Sequence, residues 1–322
     1  MINIIIQLTL VFIINLNLDK RNKWLIINQK SNITNNYINK FKNFTDHFKF
    51  LFIDENEINN YLPDSNIKGI ICNYEYCLDF SKKLIDKSKV EVLNSAEWFE
   101  IYLFRIPCNF VNINEIRSNL IKIKPLYLKT KRIGDLILSS LILFFSLPLF
   151  LIFGLIIFLE DRGPIIYSQN RTGYLGKTFK IYKLRTMKID AEKDGVQWSR
   201  RGDTRITKTG SFLRRSRIDE LPQLISVIKG DMSLIGPRPE RPEIDEKIVN
   251  KIPNYLIRNK IKPGLSGWAQ VNYPYGASLA DTENKLNFDL YYLKNINFWL
   301  DLLIIAKTIR LVFNLKGALS KT

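Results

Sequence analysis

Between Asp135 and Glu160 the chain runs for 24 residues without a charged side chain, from Leu136 to Leu159. Crossing the hydrocarbon core of a bilayer takes roughly 20 apolar residues, so this segment is long enough to do so. Pro148 falls in its middle, two residues after Ser146. An internal proline removes one backbone hydrogen bond and bends a helix, so a break at Ser146 and Pro148 is expected. Two membrane geometries satisfy that: a kinked span, or a re-entrant helix that enters and leaves on one face. The flanks help to choose. Lys129, Lys131 and Arg132 precede the segment, and a strongly basic stretch follows it. Basic flanks prefer the cytoplasmic side, and a single span would export one of them. The re-entrant form is therefore expected. The alternative, a core helix of a soluble protein, fits the length and uniform apolarity less well.

Charge is spread as unevenly as hydropathy. The formal net charge is +17, and residues 161–322 hold 29 Lys and Arg against 16 Asp and Glu, where residues 1–128 hold 16 against 13. An excess of this size implies a polyanionic partner: nucleic acid, anionic lipid or a phosphorylated substrate. Residues 161–217 alone carry 15 basic and 5 acidic side chains, with Tyr167, Tyr174, Phe179, Tyr182 and Trp198 interleaved. A nucleic-acid surface has that composition too. The hydrophobic segment directly upstream, and the lack of zinc ligands or any other nucleic-acid motif, argue against nucleic acid as the partner. His47 is the single histidine, which leaves no room for a histidine triad or a histidine-rich metal site.

The first fifteen residues are apolar, with no Lys or Arg before Lys20. They make a poor signal peptide and a short span, and read as a buried strand or an interfacial segment. Further on, Trp24–Ile27, Phe50–Ile53, Gly69–Cys72 and Val90–Leu93 are short apolar runs separated by polar, helix-compatible stretches. That alternation predicts a small α/β domain with a parallel sheet. No G-x-G-x-x-G follows the first strand, so no dinucleotide site is expected. The organisation that results is a degenerate Rossmann-like α/β domain over 1–128, a re-entrant membrane helix over 129–160, and a mainly helical α+β domain over 161–322.

Three segments of the last part carry chemistry. In the first, Asp219 and Glu220 follow Arg214, Arg215 and Arg217 and precede an apolar run. Neighbouring cations hold a carboxylate ionised, and an ionised carboxylate can attack phosphorus to give an acyl phosphate. The second carboxylate can hold Mg²⁺, a hard cation that bridges phosphates. A solvated helix start, with acids favoured by the dipole, explains the same pair, and composition leaves the two readings level. In the second segment Arg238 stands between Pro237 and Pro239. Proline fixes φ at little extra entropic cost, and a rigidly held guanidinium suits bidentate phosphate recognition. In the third, Gly264 and Gly267 permit close backbone approach to a ligand. Trp268 could stack on a base there, and Gln270 or Asn272 could bond a sugar or nucleotide.

Taken in order, these residues resemble those of the bacterial sugar transferases, the monotopic polyprenyl-phosphate phosphoglycosyl transferases that initiate surface glycan assembly. The resemblance runs from about Lys131 to Lys316. It includes Lys131-Arg132-Ile133-Gly134-Asp135, the Ser146 and Pro148 break, Lys183-Leu184-Arg185-Thr186-Met187 and Asp219-Glu220-Leu221-Pro222-Gln223. It continues through Gly230–Pro239, Lys262–Gln270 and Phe288-Asp289-Leu290-Tyr291-Tyr292. Residues 1–125 look like a shortened relative of the α/β domain that precedes the catalytic domain in larger members.

The resemblance implies a Mg²⁺-dependent, two-step reaction at the cytoplasmic face of a bacterial inner membrane, as the first step of exopolysaccharide or surface glycan synthesis. Asp219 would attack the β-phosphate of a UDP-sugar, UMP would leave, and the phospho-sugar would pass to polyprenyl (undecaprenyl) phosphate. Glu220 would assist Asp219 in holding the metal. Arg214, Arg215, Arg217 and Arg238, with Lys183, Arg185, Gln270, Asn272 and Asp289, would bind substrate. Membrane lipid is a further partner, and homo-oligomerisation is left open. One departure stands out: many members continue with Gly and Arg after Gln270-Val271-Asn272, where this chain has Tyr273-Pro274-Tyr275-Gly276-Ala277-Ser278. That resembles a subgroup associated with exopolysaccharide synthesis and leans toward glucose as the sugar. Two rivals are a glycosyltransferase that releases UDP, against which the lack of any D-x-D motif counts, and a non-enzymatic, membrane-tethered anion binder.

Overall fold

The computed structural model describes residues 23–27, 48–61, 66–72, 90–110, 113–121, 125–191, 193, 203–274, 276 and 278–314. Residues 1–15, His47, Trp198 and Tyr275 lie outside these. The chain divides into two compact units, Met1–Ile106 and Pro107–Thr322.

The first unit holds strands β1 (Lys23–Ile27), β2 (Lys49–Ile53), β3 (Ile67–Cys72) and β4 (Glu91–Asn94). They form a parallel sheet in the order β2-β1-β3-β4. Side chains alternate between the faces of a strand, and here both faces are covered. Leu25, Ile27, Ile53, Ile70 and Cys72 make one core cluster. Trp24 turns the other way and meets Trp98 and Tyr102 of helix α1 (Ser95–Leu103) edge to face. Asn94 starts α1 with a capping box, its side chain accepting from Glu97 N while Glu97 accepts from Asn94 N, which satisfies two otherwise orphaned donors. The four apolar runs of the sequence are these four strands, and the sheet is parallel because its connections are long enough to cross over.

In the second unit, helix α2 (Ile113–Ile121) is followed by α3, one helix of 37 residues from Pro125 to Asp161. A straight helix of that length measures about 55 Å. It is long and apolar enough to cross a membrane, and only 17% of its most apolar window is buried. Phe145 and Leu151 are 73% and 77% exposed. A core helix would hide such side chains, and an exposed apolar surface of this extent suits a membrane or a partner surface. Pro148 lies inside the helix and withdraws a donor from the carbonyl four residues back. Ser146 donates its hydroxyl to the Ile142 carbonyl at 2.6 Å. The helix runs on through both residues.

Both ends of α3 are fixed to the same unit. Arg132 donates to the Val227 and Ile228 carbonyls at 2.6 and 2.8 Å, capping helix α5 (Leu224–Lys229). Asp135 accepts from the Ser233 hydroxyl at 2.7 Å and from Leu234 N at 3.2 Å. Asp301 accepts from Lys131, Tyr127 and Tyr292 at 2.6, 2.6 and 2.7 Å. At the far end Asp161 pairs with Arg185, and Ile157 packs against Leu184 and Leu213.

The remainder builds the platform for the site. Strands β5 (Ile166–Thr172) and β6 (Thr178–Leu184) form an antiparallel hairpin. Helix α4 (Lys208–Ser216), capped by the Thr207 hydroxyl on Gly210 N, leads into a 3₁₀ turn over Ile218–Gln223 and then α5. Strand β7 (Ser233–Ile235) pairs in parallel with β8 (Gly264–Ser266). Around them lie α6 (Pro242–Val249), a 3₁₀ segment over Tyr255–Lys260, α7 (Trp268–Asn272), α8 (Leu279–Lys294) and α9 (Phe298–Phe313). The molecule is mixed α/β, with a parallel sheet in one unit and short strands among helices in the other.

Asp135 is buried and holds two donors of β7, the Ser233 hydroxyl and Leu234 N. Replacing it by Ala leaves a hydroxyl and a backbone N–H without acceptor, at a cost of about 2–3 kcal/mol. For a unit of this size that is a fall in melting temperature of about 4–12 °C, to be measured on detergent-solubilised protein by thermal unfolding of Asp135→Ala against the parent.

Candidate active site

The turn that presents the carboxylate pair begins with a strained residue. Arg217 ends α4 in the left-handed region, at φ 58° and ψ 16°, a conformation that costs a non-glycine residue roughly 1–2 kcal/mol. The chain reverses there into the 3₁₀ turn, and Asp219 and Glu220 point inward against β6. They are 7% and 9% exposed.

The two carboxylates are treated very differently. Glu220 Oε1 accepts from Arg238 Nη2 at 2.5 Å and from Lys183 Nζ at 3.3 Å, and its Oε2 lies 3.8 Å from Arg217 Nη1. Asp219, among the described residues, has no hydrogen bond and no close ion pair. Burial pushes the Glu220 carboxyl up, but Arg238, Lys183 and Arg217 outweigh it and hold the group well below the usual carboxylate range. For Asp219 burial wins. Its pKa is raised, first by desolvation and then by the Glu220 charge, with Lys183, Arg214 and Arg238 pulling it back. The pair is thus one firmly ionised carboxylate that gathers cations and one uncommitted carboxylate beside it.

Of the residues singled out in the sequence, Lys183, Arg217 and Arg238 meet on Glu220. Arg214 donates to the Thr186 hydroxyl at 2.9 Å, near enough for its charge to act on Asp219. Arg215 donates to the Ser211 carbonyl in an exposed position. Arg185 points to the end of α3, where it pairs with Asp161 and donates to the Ile157 carbonyl at 3.4 Å. Gln270 and Asn272 donate to the Leu265 and Trp268 carbonyls, and Lys307 of α9 donates to Asn272 Oδ1 at 2.6 Å. Trp268 takes that lysine over its ring at 4.6 Å. Asp289 is buried and pairs with Arg258 at 3.1 Å. Desolvation raises its pKa to about 6, against the pull of Arg258 and Lys285.

The glycine-rich segment approaches backbone. A Cβ on Gly264 would lie 2.0 Å from Gly236 N, so Gly264 lets β8 close against the chain that enters Pro237. Sequence reasoning missed Arg171, Glu240 and Arg258. Arg171 donates to the Pro239 carbonyl and pairs with Glu240 at 2.9 Å. Neither arginine sits in a motif that spacing could single out.

A hard divalent cation fits the pair in a limited way. Both oxygens of Asp219 and Oε2 of Glu220 remain for it, since the two close donors on Glu220 share Oε1. Among the described residues no cluster of three or more His, Cys, Asp or Glu could hold a metal. Mg²⁺ is commonly bound by one or two carboxylates completed with water and substrate phosphates, and this donor set suits that arrangement.

Comparison with known proteins covers the same region. A family model described as bacterial sugar transferase matches residues 126–315. A UDP-N-acetylgalactosamine-undecaprenyl-phosphate N-acetylgalactosaminephosphotransferase of Aeromonas hydrophila is 42% identical over 214 residues, 66% of this chain and 50% of that protein. A UDP-glucose:undecaprenyl-phosphate glucose-1-phosphate transferase of Escherichia coli is 39% identical over 181 residues, 56% of this chain and 39% of that protein. A protein of the same description from Klebsiella pneumoniae is 34% identical over 271 residues, 84% of this chain and 53% of that protein. The chain spans about half the length of the curated relatives it matches.

The raised pKa of Asp219 has a consequence for stability. An acid whose pKa rises on folding destabilises the folded protein once the pH exceeds that pKa, and costs nothing below its unfolded value. With divalent cations chelated, Asp219→Asn is therefore expected to melt higher than the parent at pH 7.5, and the gap is expected to close as the pH falls toward the ordinary carboxylate range. A thermal melt at each pH checks both the sign and the closure.

Proposed function

The chain belongs to the bacterial sugar transferase family, and we propose that it transfers a sugar 1-phosphate from a UDP-sugar to undecaprenyl phosphate by way of a phospho-sugar carried on Asp219. The observation that carries this reading is the division of labour in the pair: Glu220 takes Lys183, Arg217 and Arg238, and Asp219 is buried beside it without a hydrogen bond among the described residues.

In the first step an Asp219 carboxylate oxygen attacks the β-phosphorus. The bond from that phosphorus to the bridging oxygen breaks, and UMP departs with the oxygen. A sugar 1-phosphoryl group remains on Asp219 as an acyl phosphate. In the second step an oxygen of undecaprenyl phosphate attacks the same phosphorus, and the aspartate leaves as carboxylate. The product is a lipid diphosphate sugar, and the site returns to its starting state. Lys183, Arg217 and Arg238 meet the diphosphate and stabilise the charge that builds on its oxygens. Asp219 and Glu220 would hold Mg²⁺, which neutralises phosphate charge when bound. Desolvation of Asp219 strengthens each of these interactions. The relatives are named for N-acetylgalactosamine and for glucose, so UDP-N-acetylgalactosamine and UDP-glucose are the donors to compare first.

The helix α3 is read as re-entrant in the inner membrane, with the catalytic unit on the cytoplasmic face. Support comes from Arg132 and Asp135 at one end and Ile157 and Asp161 at the other, all fastened to one unit. The first unit is read as Rossmann-like only in the broad sense of a doubly wound α/β domain, since its parallel order β2-β1-β3-β4 is the 2-1-3-4 arrangement and not the 3-2-1-4 of a Rossmann sheet.

Two outcomes are expected. With a UDP-sugar and undecaprenyl phosphate, nucleotide analysis should find UMP as the released product, and Asp219→Asn should lower its release by at least about a thousandfold. UDP as the product would sink the reading. In a background without the native cysteines, engineered cysteines at Thr130 and Leu175 should react with an impermeant thiol reagent from the same, cytoplasmic, side. Labelling from opposite sides would mean a true span.

A further inference from the structure

Arg238 is carried by a stretch of main chain that offers little but carbonyls. In Pro237-Arg238-Pro239-Glu240 the two prolines have no N–H, and each of the four carbonyls is taken by a donor. Pro237 O accepts from Gly264 N at 2.9 Å, and Glu240 O accepts from Thr172 N at 2.9 Å. Between them, Arg238 O accepts from Arg258 Nη2, and Pro239 O accepts from Arg171 Nη1 at 3.2 Å. Strand β8, strand β5 and the 3₁₀ segment over Tyr255–Lys260 thus hold the run from several directions. The two central donors are guanidinium groups, and a charged donor makes a hydrogen bond roughly twice as strong as a neutral one.

Arg258 is itself locked. It is buried, pairs with Asp289 at 3.1 Å and donates to the Tyr255 hydroxyl at 3.1 Å. That hydroxyl in turn donates to Asp245 at 2.6 Å. A continuous path therefore leads from Asp289 through Arg258 to the main chain of Arg238, and from the Arg238 guanidinium to Glu220.

We infer that Arg258 is a positioning residue of the transfer site: oriented by Asp289, it fixes the main chain at Arg238 so that the Arg238 guanidinium reaches Glu220. Arg171 does the same for the next carbonyl. Asp289 then acts two residues back from the phosphates and does not touch them. The inference rests on the reading of Asp219 and Glu220 as a transfer centre, and adds a residue that nothing in the motifs assigns.

A double-mutant cycle tests it. Arg258→Met and Arg238→Ala are made singly and together, and kcat/KM is measured by UMP release. Arg258→Met is expected to lower kcat/KM by about a hundredfold in the parent, the scale of a small misplacement of a reacting group, and by less than about threefold where Arg238 is already gone. Arg258→Lys, which keeps a charged donor, should recover part of the loss. Equal losses in both backgrounds would overturn the inference, because they would mean that Arg258 acts independently of Arg238. Melting temperatures of the same four proteins, taken without substrate, give a second reading. Drops that fail to add support the inference, and strictly additive drops overturn it. If no UMP is released by the parent but the melting cycle is non-additive, the reaction is wrong and the positioning stands. Should Arg258→Met not fold, Asp289→Asn, which removes only the orienting charge, replaces it under the same criteria.

Discussion

The Glu220 carboxylate organises the site. Lys183 comes from a strand, Arg217 from a strained turn and Arg238 from a proline-flanked run, and their cationic groups converge on its two oxygens. Without that carboxylate three buried or half-buried cations would repel one another. With it they form a compact cationic cluster beside Asp219, which makes no hydrogen bond among the described residues. The arrangement sets the two acids apart although they are adjacent in sequence: one gathers the cations, and the other is the one proposed to do the chemistry. Burial and the Glu220 charge nevertheless disfavour the charge of Asp219, so in the proposed reaction activity and stability pull against each other at this one residue.

The second constraint is the long helix. Its exposed apolar surface cannot face water at low cost, because each large side chain left exposed forgoes about 1.5–3 kcal/mol of burial. Its charged residues are not scattered. Lys131, Arg132 and Asp135 lie at one end and Asp161 at the other, and each is bound to the unit that holds the carboxylate pair. In the proposed reaction a lipid substrate and a nucleotide substrate would meet where this helix and the carboxylate pair belong to one unit, and those contacts join them.

Much of this was readable from the residues. The four strands of the first unit showed as apolar runs of β-forming residues at regular spacing, and the 24 uncharged residues announced the helix. Arg217 stood beside the acids in sequence, Arg238 was marked by its two prolines and Lys183 by the family resemblance, but only the fold brings the three together on Glu220. Other parts were hidden for physical reasons. Arg185 is two residues from Lys183, a spacing that keeps side chains on one face within a strand, but β6 ends at Leu184 and Arg185 beyond it goes to Asp161. Arg258 is a lone arginine in a short irregular segment, and its role depends on a main-chain carbonyl 20 residues away. Gly264 read as room for a ligand and serves as room for Gly236. Contacts to backbone leave no pattern in side-chain identity.

The account stands or falls on Asp219 as the atom donor to phosphorus. Incubating the protein with a UDP-sugar that carries radioactive phosphorus in its β-phosphate, quenching, and mapping the labelled peptide tests this directly. The account predicts label on the peptide containing Asp219, removed by hydroxylamine as an acyl phosphate is, and discharged by undecaprenyl phosphate. Label on another residue, or product formed at full rate by a protein that never carries label, would contradict it.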